Sequence, residues 1–330
     1  MDGLILADKP RGETSHDIVD RIRRSLRLQK VGHFGTLDPM ATGLLLVAVG
    51  RAVKLFPWFS KHDKVYSGEI RLGLATDTYD ATGRPSAAEA DAGALPGREA
   101  VVEGMRAFVG EILQAPPPYS AKKVAGKPLY KWARARQPLA CPPRPVVVHD
   151  FRLVDFRPPL VSFEVHCGSG TYVRSLAHAL GENLGCGGHL AGLRRLKSGG
   201  LTIDQARPVG RIEEMIAEGR AGELVVPLES LLPELPKVIL TDTGEARLQK
   251  GRLQGAAEIQ RALEPEAPAA GPELEAAQRH VLGQFTEYVH LNRRIPDEVL
   301  TTAAAVADPA AFSHTLAAHL LVKVPQKQQL

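Results

Sequence analysis

Residues 32–43 read Gly-His-Phe-Gly-Thr-Leu-Asp-Pro-Met-Ala-Thr-Gly, and an uninterrupted apolar run, Leu44 to Val49, follows. One carboxylate, Asp38, stands in the middle among small and stiff residues. Gly35 and Gly43 allow tight turns or close backbone approach. Asp38-Pro39 has the pattern of a helix N-cap followed by a first-turn proline. A single acid is thus held at an element boundary, shortly after His33, which is how a chain fixes a reactive group on a rigid scaffold. Capping is the commoner use of such an aspartate, and the rest of the chain has to tip the balance.

Outward from this stretch, residues 3–8 read as a short apolar strand ended by Lys9-Pro10-Arg11-Gly12. Thr14 or Ser15 then starts a helix with Ile18, Val19, Ile22 and Leu26 on one face. Residues 64–74 alternate, with Tyr66, Gly68, Ile70 and Leu72 against Val65, Ser67, Glu69 and Arg71, as a half-buried strand does. Residues 75–98 read as loop, and a helix is expected near 98–110. The stretch 114–144, around Pro116-Pro117-Pro118, reads as one long loop, a length that usually signals function. Strands are expected over 146–154 and 160–167. A helix is expected over 171–185, with Val173, Leu176, Ala177 and Leu180 on one side. Residues 236–254 have a strand-turn-helix pattern, and 262–274 have the composition of a linker. Helical periodicity returns over 273–290 through Leu274, Ala277, Val281, Phe285 and Tyr288.

The bulk numbers bound the possibilities. A chain of 330 residues with 44% hydrophobic content can bury two or three cores. No apolar stretch is long enough to cross a bilayer, and the N-terminus lacks the pattern of a signal peptide, so a cytoplasmic location is expected. Cys141, Cys167 and Cys186 include no Cys-x-x-Cys pair, which argues against a disulfide framework or a zinc ribbon. They are expected to be free, buried thiols, and no metal site is expected. Gly126-Lys127 is not part of a nucleotide-binding loop, because the glycine required five residues earlier is Ala121. The net charge of +4 hides a split: residues 1–206 carry 28 Lys and Arg against 20 Asp and Glu, and residues 207–330 carry 13 against 17. A basic first part suits a nucleic-acid backbone.

Several motifs now line up. The stretch around Asp38 resembles the nucleophile motif of the TruB family of bacterial tRNA pseudouridine synthases. Lys64-Val65-Tyr66 resembles the second motif of that family, and Gly73 to Gly83 continues the likeness. Cys167-Gly168-Ser169-Gly170-Thr171-Tyr172-Val173-Arg174-Ser175-Leu176 resembles its Gly-Thr-Tyr-Ile-Arg motif. Lys9-Pro10-x-Gly12-x-Thr14-Ser15 is similar to its opening motif. Gln114 to Lys123, with Gly126, Tyr130 and Arg134, is similar to its RNA-gripping loop. Gly185-x-Gly187-Gly188-His189-Leu190-x-x-Leu193-Arg194-Arg195 resembles the stretch that follows the arginine helix. Ser169 departs from the pattern, since relatives often carry lysine there.

The resemblance implies an isomerase that breaks the bond between uridine N1 and C1′, turns the base and joins C5 to C1′. No electrons are transferred, so no cofactor is expected. Such chemistry asks for a carboxylate near the sugar, a cation to keep it ionised, an aromatic ring to hold the loose base, and extrusion of the nucleotide from its stack. By resemblance, Asp38 is the nucleophile, Tyr66 stacks on the base and takes the C5 proton, and Arg174 pairs with Asp38. Substrate contacts are implied for His33, Tyr172, Leu193, Lys64 and Lys9, with Leu193 walling the base pocket and His33 filling the space left by the flipped base. The implied substrate is the T-loop uridine of tRNA at position 55, bound through the T-arm by a monomer.

The likeness runs over residues 5–255 and then breaks. Residues 236–251 resemble the start of the small β-rich RNA-binding module that relatives carry, with no run of strands after it. Gln284-Phe285-x-Glu287-Tyr288-Val289-x-Leu291-Asn292-Arg293-Arg294-Ile295-Pro296-x-Glu298-Val299-Leu300 instead resembles the N-terminal region of Lon-type ATP-dependent proteases. The expected architecture is α+β: a catalytic domain over 1–206 with a mixed sheet and flanking helices, a connecting region over 207–256 and a mainly helical segment over 257–330. Two other classes stay open: a non-catalytic RNA-binding or RNA-folding protein, and a fusion whose tail is a protein-binding adaptor.

Overall fold

The computed structural model describes residues 1–86, 90, 95–120, 122–124, 126–135, 139, 141–231, 281–283, 286, 300 and 304. The chain opens with strand β1 (Gly3–Lys9), helix α1 (Ser15–Leu26), and strands β2 (Val31–Phe34) and β3 (Thr42–Val49). A 3-10 turn leads into the short α2 (Phe56–Phe59), then β4 (Lys64–Leu72), α3 (Arg98–Arg106) and β5 (Gly110–Gln114). A two-residue hairpin, β6 (Lys123–Val124) and β7 (Lys127–Pro128), precedes α4 (Leu129–Arg134). The long strands β8 (Arg144–Arg157) and β9 (Leu160–Cys167) follow, then α5 (Val173–Asn183) and β10 (Gly188–Ser198). Last come β11 (Leu201–Thr202), β12 (Arg207–Pro208), α6 (Val209–Ala217) and β13 (Val225–Pro227).

Three expectations are corrected here. Asp38-Pro39 caps no helix: the Ala41 N–H bonds to the Asp38 carbonyl at 3.0 Å, making a tight turn, and the apolar run beyond it is β3. The run was compatible with either element because β3 is buried on both faces, which erases the alternation that marks a strand. The stretch 114–144 is not one loop, since it holds a hairpin and α4. The helix expected up to residue 110 ends at Arg106, and β5 follows.

Helix α1 shows why the local prediction succeeded. Thr14 Oγ1 accepts from the Asp17 N–H at 3.1 Å, and the Asp17 carboxylate accepts from the Thr14 N–H at 2.8 Å. This reciprocal box satisfies two backbone donors that the first turn leaves open. Ile18, Val19 and Ile22 are then buried against Ile5 and Ala7 of β1 and Leu45, Val47 and Val49 of β3. The opposite face of the same two strands packs Leu4, Leu6, Leu44 and Leu46 on Phe34 and Phe59.

Eleven strands form one mixed sheet, ordered β12-β1-β3-β10-β4-β9-β8-β5, with β2, β11 and β13 attached at its sides. Most pairs are antiparallel, while β1–β12 and β3–β10 are parallel. The β3–β10 junction is brief: Arg194 faces Thr42 and Arg195 faces Gly43. It joins two half-sheets, each with its own core. On the second half, α3 and α5 cover β4, β8, β9 and β10 through Val101, Met105, Leu176, Ala177 and Leu180. The turn carrying Asp38 enters the sheet at this seam.

The first compact unit spans Met1–Pro233, past the boundary expected at 206. Arg207 and Pro208 pair with Ala7 and Asp8 of β1, and Val209, Ile212 and Met215 of α6 join the core under α1. A second unit is Glu234–Leu330. The expected features at 236–254, 262–274 and 257–330 lie outside the described residues, apart from helical positions at 281–283, 286, 300 and 304. Among the described residues no helix is long and apolar enough to cross a membrane. All three cysteines are free; Cys167 is buried, but Cys141 and Cys186 are only half-buried.

Candidate active site

A cleft of about 680 Å³ opens at the seam of the two half-sheets, lined among others by Asp38, Tyr66, Asp80, Tyr172, Arg174 and Arg195. Asp38 sits on the turn before β3. Lys9, fully buried, braces that turn: its ammonium donates to the carbonyls of Glu13 at 2.6 Å, Pro10 at 2.8 Å and Pro39 at 3.3 Å. Ser15 adds a second tie, accepting from the Leu37 N–H at 2.9 Å. Two elements therefore hold the loop from below.

Arg174 lies in the first turn of α5 and is 5% exposed. Its Nε donates to Asp38 Oδ2 at 2.8 Å and its Nη2 to Asp38 Oδ1 at 3.0 Å. This is a bidentate fork, the strongest and most directional form of a carboxylate–guanidinium pair. The remaining donors reach the carbonyls of Thr78 and Tyr119, each at 3.0 Å. A second carboxylate, Asp80, stands 3.5 Å from Nη1 and is also buried. Asp80 accepts in turn from the Thr78 hydroxyl at 2.8 Å, the Thr82 N–H at 2.9 Å and the Thr82 hydroxyl at 2.6 Å. The guanidinium is thus locked from several sides, while the Asp38 carboxylate keeps 36% of its surface open to the cleft.

Tyr66 on β4 pairs in register with Arg195 on β10. Burial pushes its phenol above the usual tyrosine range, and the facing Arg195 guanidinium opposes that shift. Arg195 is 1% exposed and makes no ion pair among the described residues; it donates to the Leu44 carbonyl at 2.7 Å and the Gly35 carbonyl at 3.1 Å. Lys64, also buried, donates to the carbonyls of Ser60 and His62, and burial, aided by Arg195, lowers its pKa to about 8. His33 is pushed below the usual histidine range by burial and then by Arg195 and His16. Tyr172 is anchored by its backbone N–H on Gln114 Oε1 at 2.7 Å, and burial raises its phenol. The cleft thus brings together a carboxylate held by a locked guanidinium, a buried aromatic ring and two further buried cations.

The structure gathers Asp38, Tyr66, Arg174, His33, Tyr172, Leu193 and Lys64 around one cleft. Lys9 does not line it, since its ammonium is spent on backbone carbonyls beneath the turn. Asp80 and Arg195 were not singled out from the sequence. Both lie inside recognised motifs, but only the fold shows that one faces Arg174 and the other Tyr66. Thr171, just before α5, donates its hydroxyl to the Gly168 carbonyl at 2.9 Å.

Comparisons with known proteins agree with this geometry. Residues 23–173 match the family described as TruB family pseudouridylate synthase (N terminal domain). Residues 174–233 match the tRNA pseudouridylate synthase B C-terminal domain. The chain is 42% identical over 252 residues to tRNA pseudouridine synthase B of Solibacter usitatus (strain Ellin6076), covering 76% of this chain and 85% of that one. It is 37% identical over 287 residues to the protein of the same name from Geobacillus thermodenitrificans (strain NG80-2), covering 85% and 95%. A span of 85% of this chain is about 280 residues, more than the 256 that precede the tail, so this likeness runs on into 257–330. None of the comparisons supports a Lon-like segment there. Among solved structures, a chain of a Cbf5-Nop10-Gar1 complex superposes with a TM-score of 0.58 at 28% identity, covering 76% of this chain and 67% of that one. A chain of an archaeal box H/ACA sRNP Nop10-Cbf5 complex gives 0.56 at 27%, with coverages of 76% and 67%. With both family models in sequence over 23–233, and relatives matched over most of their length, the chain belongs to the TruB family of pseudouridylate synthases.

Proposed function

We propose that this chain isomerises uridine 55 in the T-loop of tRNA to pseudouridine, with Asp38 as nucleophile. The observation that carries the reading is the two-bond fork between Arg174 and Asp38, at 2.8 and 3.0 Å, beside Tyr66 in an open cleft. The fork aims the carboxylate before the substrate arrives, so little reorganisation is needed in the reaction. Asp38 attacks the target nucleotide as the bond between C1′ and N1 breaks. The loosened base turns on the Tyr66 ring, C5 joins C1′ as the Asp38–C1′ bond breaks and frees the carboxylate, and the C5 proton leaves to the Tyr66 oxygen, which faces Arg195, while the Tyr66 hydroxyl proton passes on and N1 takes up one proton. The atoms of substrate and product are the same, so nothing else is consumed.

Substrate contacts follow the same pocket. Leu193 walls the base, His33 fills the stack vacated by the flipped nucleotide, Lys64 and Tyr172 border the entrance, and Lys9 acts indirectly by holding the Asp38 turn. The protein acts as a monomer in the cytoplasm, where tRNA is found, with its catalytic residues in the unit Met1–Pro233. For 257–330, a helical protein-contacting segment of Lon-like character rests on the motif 284–300 alone. Far-UV circular dichroism of the chain with and without the tail reads this: a helical difference spectrum supports it, and a β spectrum replaces it with a barrel module.

The functional test is carbodiimide labelling of pseudouridine in tRNA transcripts incubated with the protein. Label at position 55 is expected with the wild type and not with Asp38→Asn, while tRNA binding persists in both. Activity of Asp38→Asn within about tenfold of wild type, a barrier change of only ~1.4 kcal/mol, removes the nucleophile from Asp38. Tight binding with no label from the wild type leaves the non-catalytic RNA-binding reading instead.

A further inference from the structure

We propose that Asp63, His149 and His166 form a binding site for a divalent transition ion of the zinc class, on the sheet beside the catalytic cleft rather than in it. The three residues come from separate stretches: Asp63 just before β4, His149 on β8 and His166 on β9. Asp63 Oδ2 lies 3.1 Å from His149 Nε2 and 4.0 Å from His166 Nε2. The donor atoms all fall within 4.8 Å of one another. Bonds of about 2.0–2.1 Å in a tetrahedron place ligand atoms roughly 3.3 Å apart. The Asp63–His149 distance already fits, and rotamer adjustment of the His166 ring closes the rest.

The backbone supports this convergence. Val148 pairs with Cys167 and Asp150 with His166, so a bulge sets both His149 and Asp150 opposite His166. The two imidazoles are seated 4.6 Å apart between ring centres, tilted by 43°. Asp63 is fixed by its carbonyl, which accepts from the Gly199 N–H at 2.9 Å. The turn after β9 is fixed by the Gly168 N–H on the Val147 carbonyl at 2.8 Å. Donors carried on such rigid elements need little ordering to close on an ion.

The chemistry of the set selects the ligand. Two imidazoles and one carboxylate suit zinc, nickel or cobalt, whereas magnesium and calcium prefer an all-oxygen shell. The side chains of His149, His166 and Asp63 are 38%, 45% and 48% exposed, so the set lies at the surface, where an ion can reach it from solvent. Three protein ligands with an open fourth position can take water or an anionic oxygen. An Asp63–His149 hydrogen bond alone is the simpler account of the 3.1 Å contact, and it gives His166 no part.

Calorimetric titration of the chelator-treated full-length protein with Zn²⁺, and separately with Mg²⁺, decides between them. One Zn²⁺ equivalent with micromolar affinity is expected, together with a rise in melting temperature, because an ion bound only to the folded state stabilises it. Mg²⁺ should give no heat. His166→Gln should weaken the Zn²⁺ equivalent by at least about tenfold, which is ~1.4 kcal/mol, and the double variant H149Q/H166Q should remove it. Asp63→Asn keeps the residue's size and gives an independent reading if the double variant folds poorly. Zn²⁺ binding unchanged in His166→Gln and Asp63→Asn, or absent at concentrations on the order of 100 µM, overturns the site.

Discussion

Arg174 shows what a single side chain contributes when all its donors are used. A lysine at that position keeps the charge but cannot hold both Asp38 oxygens while also reaching Thr78 and Tyr119. Hydrogen bonds to charged groups are worth about 1.5–3 kcal/mol each. Arg174→Lys should therefore lower kcat by roughly two to four orders of magnitude, at ~1.4 kcal/mol per tenfold, with tRNA affinity nearly unchanged. Single-turnover kinetics check this, and a loss smaller than about tenfold removes the fork from the mechanism. His33 gives a pH prediction. Its folded-state pKa lies below the usual 6.5, mainly through burial. The unfolded chain then binds more protons below about pH 6.5, so stability falls as pH drops through that value. His33→Gln should flatten the acid limb of stability below about pH 6.5, measured by urea midpoints. An unchanged slope means that His33 is not desolvated in the folded state.

Among the elements, the contact between α5 and β10 matters most, since it carries Arg174 on one side and Arg195 on the other. Gly181 makes it possible: a Cβ there would stand 2.2 Å from the Gly188 nitrogen and 2.3 Å from the Gly187 carbonyl carbon. The obstruction is backbone and cannot swing aside. Gly181→Ala should destabilise the fold by about 1–3 kcal/mol, the usual cost of overpacking, despite alanine's better helix propensity. A urea midpoint equal to wild type would show that the helix can shift outward. Gly43 plays the matching part on β3. Its φ is +99°, and a Cβ there would stand 2.4 Å from the Arg195 carbonyl oxygen, so no side chain fits where the half-sheets join.

For the whole molecule, the charge split sets the expectation for where RNA binds. Residues 1–206 have a surplus of basic residues and 207–330 a surplus of acidic ones. The first compact unit ends at Pro233. A chain truncated at Pro233 should keep most of the salt dependence of tRNA affinity, because each neutralised phosphate contributes about −0.7 to −0.9 to the slope of log K against log salt. Filter binding at several salt concentrations measures it. Loss of most of the slope on truncation would place the phosphate contacts in the second unit.

The sequence by itself determined α1, β4, the strands around β8 and β9, and the helix that carries Arg174, because amphipathic period and capping chemistry are local. It also singled out Asp38, Tyr66 and Arg174, which the fold brings to one cleft, because their motifs are contiguous. It left the run after Asp38 open between helix and strand, because a strand buried on both faces loses its alternation, and it left β10 unassigned for want of any period. Only the tertiary structure decided which distant groups meet. Asp80 turns toward Arg174 because its loop docks on β10, where the Ala81 N–H bonds to the Leu190 carbonyl at 2.9 Å. Lys9 braces a turn instead of touching the cleft, and Arg195 faces Tyr66 through strand register. Asp63, His149 and His166 carry no recognisable ligand spacing along the chain, and come together only because β4, β8 and β9 lie side by side in the sheet. Contacts of that kind depend on register and packing between segments far apart in the chain, and no local pattern of residues encodes them.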